Sequence, residues 1–269
     1  MSPLIRLSSR LSSRISATLL LASLLPVISL TACSAEPSAT PATPATPETP
    51  ETPANAVPAA GPAPAAATPA VAAVVQPLNP LPGLEAQVPV ITDKEVIRMQ
   101  TSAGDVVIEV YPQAAPNAVQ RFVELVQSGF YDNTPVSRVV PGFVAQFGIN
   151  WREPHKTWEE NTFADDPTLF ALERGTLAFA KGGIDNNSTQ VFINYAENNR
   201  LAARQYNFTT FGKVVSGMEV VDMFLDIGEP GMGLDQERLW QDGEAYLASL
   251  ELKPTMILHA EVVAAEPAK

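Results

Sequence analysis

Arg138 stands inside a run of β-branched and aromatic residues, Val136–Gly148 (VSRVVPGFVAQFG), with Phe143 and Gln146 close behind it. A guanidinium in apolar surroundings is unfavourable unless its charge is paired or used. Arg138 is therefore either a structural partner or a functional donor, and this stretch alone leaves both open. Strand alternation puts Arg138 and Val136 on one face, with Ser137 and Val139 on the other. A second run, Gly175–Asn194 (GTLAFAKGGIDNNSTQVFIN), has a Gly/Asn-rich turn between two apolar strands. There Gln190 and Phe192 share a face.

Signatures of other chemistries are missing from the sequence: no Gly-rich phosphate loop, no G-x-S-x-G and no H-E-x-x-H. Cys33 is the single cysteine, so a disulfide within the chain and a cysteine metal site are both excluded. The two histidines, His155 and His259, leave little for zinc. Glu153, His155, Glu159 and Glu160 read as a solvated acidic loop rather than a cation site. The expectation is a protein that needs no metal and no cofactor.

The elements that must position these side chains follow from periodicity. Lys94–Thr101 and Val106–Tyr111 read as strands around the turn Ser102–Asp105. Pro116 opens a helix whose apolar positions Val119, Phe122, Val123 and Val126 keep the i, i+3, i+4, i+7 spacing, and Gly129 closes it. Further strands are expected at Val136–Val140, Val144–Gly148, Thr176–Ala180, Val191–Asn194, Phe208–Val214 and Met256–Val263, with a short helix at Met218–Leu225. Eight strands and two helices suggest a mainly β domain over 93–269, a closed antiparallel barrel capped by helices.

Two segments precede that domain. Residues 1–32 join a basic stretch (Arg6, Arg10, Arg14) to a 16-residue apolar run, Ile15–Leu30. That run is short for a membrane span, which needs about 20 apolar residues, and has the layout of a secretory signal. It ends in Leu30-Thr31-Ala32-Cys33, which resembles the lipobox of bacterial lipoproteins. The resemblance implies cleavage before Cys33, lipid on its thiol, and a place in the bacterial cell envelope on the periplasmic side or at the outer membrane. Residues 33–92 are rich in Pro, Ala and Thr, with 14 prolines between Ser34 and Thr92. Such a tract lacks the apolar area to offset its ordering entropy and is expected to be a disordered spacer.

From Asp93 onward the net charge is −11, which argues against nucleic acid and against adhesion to anionic surfaces. A lipid anchor would then be what holds the domain, expected to be a monomer, at a membrane.

The run from Arg138 to Gln146 resembles the signature strand pair of the cyclophilins, a family of peptidyl-prolyl isomerases. Gly175–Ala180, Gln190–Phe192 and Phe211–Val215 are similar to later motifs of that family, in order and at compatible spacing. The likeness covers about 94–263. It implies a cyclophilin-like barrel, proline-containing polypeptides as substrates and no cofactor. Carried over by position, Arg138 matches the catalytic arginine. Phe143, Phe192 and Leu201 match the lining of the proline pocket, with Val144 and Phe208 beside them. Gln146 and Gln190 match residues that hold the substrate backbone, and Lys181-Gly182 the edge that pairs with it.

The chain departs from the family at several positions. Val136-Ser137 replaces Phe-His, Phe147-Gly148-Ile149 replaces Gly-Gly-Asp, and Lys181-Gly182-Gly183 replaces Asn-Ala-Gly. Arg200 stands where many members have tryptophan, and Phe208 where they have histidine. The insertion Gly231–Leu250 exceeds the pattern and has no counterpart there. Beside an isomerase, a proline-binding chaperone module with vestigial activity remains open at this level.

Overall fold

A computed structural model describes residues 77–264. The expected signal segment 1–32, Cys33 and the spacer as far as residue 76 lie outside the described residues.

Inward and outward positions alternate in the first two strands. In β1 (Glu95–Thr101), Ile97, Met99 and Thr101 are buried; in β2 (Gly104–Val110), so are Val106, Ile108 and Val110. The remaining strands are β3 (Thr134–Val140), β4 (Val144–Phe147), β5 (Thr176–Lys181), β6 (Asn187–Asn194), β7 (Gly212–Ser216) and β8 (Met256–Val263). All pairings are antiparallel, and the order β1-β2-β7-β5-β6-β4-β3-β8 closes back on β1. Closure leaves no unpaired edge. Ile97, Ile108, Ala145, Leu177, Val191, Ile193 and Phe211 fill the interior.

Helix α1 (Pro116–Gln127) covers this core with Ala118, Val119, Phe122, Leu125 and Val126. Pro116 occupies its first turn, where a missing N–H costs nothing. The Asp166 carboxylate supplies the capping function, accepting from the backbone N–H of Asn117 at 3.2 Å and of Ala118 at 2.9 Å.

Four expectations are corrected. The strand expected at Phe208–Val214 begins only at Gly212, because Thr209 and Thr210 turn their hydroxyls to the Asp166 and Ala171 carbonyls. The helix expected at Met218–Leu225 is a single turn, α2 (Met218–Val221). A third α-helix, α3 (Gln236–Ser249), lies in the insertion, so among the described residues the barrel carries three α-helices rather than two, beside short 3-10 helices at His155–Glu160 and Asn199–Ala202. Finally, residues 77–92, counted with the spacer, pack onto the domain. Leu78 and Ile91 are buried with Tyr111, Ala114 and Phe170. Leu81 N–H donates to the Leu169 carbonyl at 2.9 Å, and Ala171 N–H to that of Asn79 at 2.8 Å. Four prolines fall there, but the six Leu, Val and Ile residues among them are enough to order the backbone.

Among the described residues no helix is long and apolar enough to cross a membrane, and no three His, Cys, Asp or Glu gather as metal ligands.

Candidate functional site

Register lays out the site. Arg138 on β3 is opposite Gln146 on β4, Gln146 is opposite Phe192 on β6, and Phe192 is opposite Ala178 on β5. This row lies on the outer face, since its neighbours Val139, Ala145, Ile193 and Leu177 point into the barrel core.

Arg138 reaches that face through an irregularity. The β3–β4 register shifts between Val136 and Arg138, so Val136 pairs with Phe147 and packs into the barrel core while Arg138 faces outward. The expectation that the two share a face is overturned. A bulged residue, Ser137, breaks the alternation and re-aims the arginine.

Above this row lies a cavity of about 470 Å³. Its apolar side is Phe143, Val144, Phe192, Leu201 and Phe208. Phe143 is delivered by the turn Val140–Phe143, closed by its N–H to the Val140 carbonyl at 2.9 Å. Proline and glycine at the two central positions suit that turn, and Gly142 has φ +73°. The Asn198 side chain and the Tyr195 backbone N–H then both donate to the Phe143 carbonyl, at 3.1 and 2.9 Å. Phe208 meets Phe192 edge-on, with ring centroids 5.5 Å apart.

The polar side is a chain of hydrogen bonds. Arg138 Nη1 lies 3.4 Å from Gln146 Oε1, Gln146 Nε2 donates to Gln190 Oε1 at 2.8 Å, and Gln190 Nε2 lies 3.3 Å from Gln236 Oε1. Arg138 Nε donates to the Gly231 carbonyl at 2.8 Å. Its Nη2 has no hydrogen-bond partner among the described residues. The guanidinium carbon sits 5.8 Å from the Phe143 ring centre, and that of Arg200 sits 5.2 Å from the same ring. Arg200 itself lines an adjoining shallow concavity with Gly142 and Asn198.

The third side is the Lys181-Gly182 edge, with Asn186 and Ser188. The Lys181 ammonium is not offered to the cavity. It is buried in an ion pair with Asp165 at 2.5 Å and donates to the Asn207 carbonyl at 3.0 Å. Asn187 and Asn207 also donate to Asp165. Burial alone would raise this carboxyl's pKa. The hydrogen bonds from Lys181, Asn207 and Asn187 outweigh it and hold the pKa below the usual range. The lysine thus fixes the loop that carries Phe208, whose ring lies 5.5 Å from the ammonium.

Arg138, Phe143, Val144, Gln146, Lys181, Gly182, Gln190, Phe192, Leu201 and Phe208 are therefore brought to one cavity. Cys33 lies outside the described residues. Sequence reasoning missed Gln236 and Glu159, which also line the cavity. Burial raises the Glu159 pKa, with Lys156 opposing. The signal for Gln236 was local: Asp235 is a helix N-cap residue that accepts from Arg238 N–H at 3.0 Å. A cavity with one apolar wall, faced by the Arg138 guanidinium, the Glu159 carboxylate and several amides, suits an amide-bearing ligand with an apolar ring.

Residues 96–237 match the family described as cyclophilin type peptidyl-prolyl cis-trans isomerase/CLD. A peptidyl-prolyl cis-trans isomerase of Acinetobacter baylyi is 34% identical over 152 residues, covering 52% of this chain and 77% of that one. Peptidyl-prolyl cis-trans isomerase A of Dickeya dadantii is 35% identical over 142 residues, covering 51% of this chain and 74% of that one. A solved cyclophilin type isomerase of Cryptosporidium parvum aligns with a TM-score of 0.48 and 19% identity, over 65% of this chain and 100% of that one. By the family match across more than half its length, and by relatives at this identity, the chain belongs to the cyclophilin-type peptidyl-prolyl cis-trans isomerases.

Proposed function

We propose that this domain accelerates X–Pro bond rotation in exported or envelope polypeptides, seating the prolyl ring against Phe143, Phe192 and Leu201 and donating from Arg138 to the prolyl nitrogen. Rotation about the peptide bond has a barrier of about 18–20 kcal/mol, because twisting destroys amide resonance. The twisted amide is less polar than the planar one, and its nitrogen regains a basic lone pair. An apolar pocket therefore favours it, and a hydrogen bond to that lone pair exists only near the transition state. The observation that carries this reading is Arg138 at the rim of the apolar cavity, with Nη2 left as a donor.

A hydrogen bond to a charged group contributes about 1.5–3 kcal/mol. An acceleration of about 10⁵ needs about 7 kcal/mol. Pocket desolvation and anchoring of the flanking peptide by Gln146, Gln190 and the Lys181-Gly182 edge supply the remainder. The experiment is isomerisation of a short Ala-Pro peptide by residues 77–269. Arg138→Ala should lower kcat/KM by about one to three orders of magnitude. A variant as fast as the parent sinks the assignment and leaves a proline-binding module in its place.

The same proposal places the mature chain in a bacterial envelope, as a monomer tethered through lipid on Cys33. The basic start, the apolar run and the Leu30–Cys33 sequence support that reading. Mass spectrometry of the mature amino terminus tests it, since an unmodified start at any other residue rules it out.

A further inference from the structure

The insertion reaches the site through backbone atoms. Glu229 and Gly233 exchange backbone hydrogen bonds at 2.8 Å, closing a turn around Pro230-Gly231-Met232. The Gly231 carbonyl of this turn accepts from Arg138 Nε at 2.8 Å. Gly233, at φ +78°, lies flush against β3: a Cβ there would stand 2.4 Å from the Ser137 carbonyl oxygen and 2.7 Å from Arg138 Cα. Leu234 N–H then donates to that same Ser137 carbonyl at 2.8 Å. Two residues on, Gln236 opens α3, meets Gln190 at 3.3 Å and lines the cavity.

The segment has its own footing. Leu234, Leu239 and Tyr246 bury with Ile149 in a cluster separate from the barrel core. Gly243 lies so flat on the Trp151 indole that a Cβ there would come within 2.2 Å of the ring. A turn seated this firmly can orient what it touches.

We propose that residues 229–236 are a positioning device for Arg138. The Gly231 carbonyl holds Nε, Gln146 holds Nη1, and the planar guanidinium can then present Nη2 in one direction only. Orientation fixed before substrate arrives removes an ordering entropy from the transition state. Arginine suits this because its donors form a rigid fork. This inference rests on the reading of Arg138 as the catalytic donor.

A double-mutant cycle tests it, with Ala-Pro peptide isomerisation as the rate and circular dichroism as the check on folding. Gly233→Ala must push the turn off β3 and carry the Gly231 carbonyl away. It is expected to lower kcat/KM about tenfold in the parent and less than about twofold in an Arg138→Ala background. The Arg138 Nε–H signal in NMR should exchange with water faster in Gly233→Ala than in the parent. A folded Gly233→Ala enzyme as fast as the parent overturns the proposal. So does an equal penalty in both backgrounds when Arg138→Ala is itself slow. If Arg138→Ala is not slow, the catalytic reading fails instead. Should Gly233→Ala not fold, Gly231→Ala, strained at φ +75° but with nothing within 4 Å of its Cβ, enters the same cycle under the same rule.

Discussion

Arg121 and Arg138 are both arginines set beside aromatic rings, and their donors are spent differently. Arg121 on α1 stacks between Trp158 and Phe163, at 5.2 and 5.0 Å from their ring centres. Its Nη1 donates to the carbonyls of Asn161 at 2.5 Å and Ser188 at 3.2 Å, and Glu124 stands 3.7 Å from Nε. Burial lowers its pKa, and Glu124 offsets part of that. Arg138 has one donor on Gly231, one on Gln146 and a third unused beside a cavity. An arginine in an apolar run is thus no sign of function by itself. A donor left over beside Gln146 and the apolar wall of the main cavity is what the proposed function would use. Lys181 sharpens the contrast, because it lines the same cavity yet turns its charge away into Asp165.

The largest expected effect comes from that lysine. Lys181→Met leaves Asp165 buried without its cation, and removing one partner of a buried pair costs about 3–5 kcal/mol of stability. Urea unfolding should show the loss, and adding Asp165→Asn should restore most of it. An unchanged midpoint in Lys181→Met would mean the ammonium is not paired in solution. Next is a crossed experiment on the two arginines. Arg121→Ala should reduce stability by about 2–3 kcal/mol, through two carbonyls left without donors and the lost stack. Its kcat/KM at low temperature should change less than about twofold. Arg138→Ala should do the reverse, losing rate with a shift in stability below about 1 kcal/mol. If both variants lose the same quantity, the distinction between the two sites collapses.

β1 and β2 were legible because they obey a period of two, the later strands as short apolar runs, and α1 because its apolar stripe and its Pro/Gly ends agree. The row Arg138, Gln146, Phe192 was legible through resemblance, since nothing in alternation says which strands pair. What escaped has physical causes. The bulge at Ser137 inserts a residue into the period, so alternation assigned Arg138 the wrong companion. Helix α3 is broken by a non-helical Asp242 (φ −153°, ψ 58°) beside Gly243, which interrupts its 3.6-residue stripe. The grip of Gly231 on Arg138 uses a backbone carbonyl, which every residue carries. In 77–92 the prolines masked a few apolar anchors.

Acid should separate two adjacent carboxylates. Asp165 is held below its ordinary pKa of 3.8 by its hydrogen bonds. Its contribution to stability is present above that value and is lost as pH falls through the lowered one. Burial holds Asp166 above 3.8 despite the amides of Ala118 and Asn117. The folded protein therefore takes up that proton first, and falling pH relieves a penalty. Urea midpoints from about pH 5 to about pH 2.5 should fall less steeply in Asp165→Asn and more steeply in Asp166→Asn. Parallel slopes in both would show that neither environment perturbs its carboxyl as described.

The smallest effect is expected at Arg200, the second cation against Phe143. Its guanidinium carbon is nearer the ring than that of Arg138, at 5.2 Å against 5.8 Å. Proximity to the ring would rank Arg200 first. The proposed function ranks it second, because it lines the adjoining concavity and not the main cavity. A cation–π contact at an exposed site contributes about 0.5–1 kcal/mol. Arg200→Ala should therefore lower kcat/KM by no more than about fivefold, through looser seating of Phe143, and so raise KM more than it lowers kcat. Arg200→Lys keeps the charge and should recover part of the loss. A fall in kcat as deep as that of Arg138→Ala would make Arg200 a donor in its own right, and a place in the main cavity would no longer suffice to tell the two arginines apart.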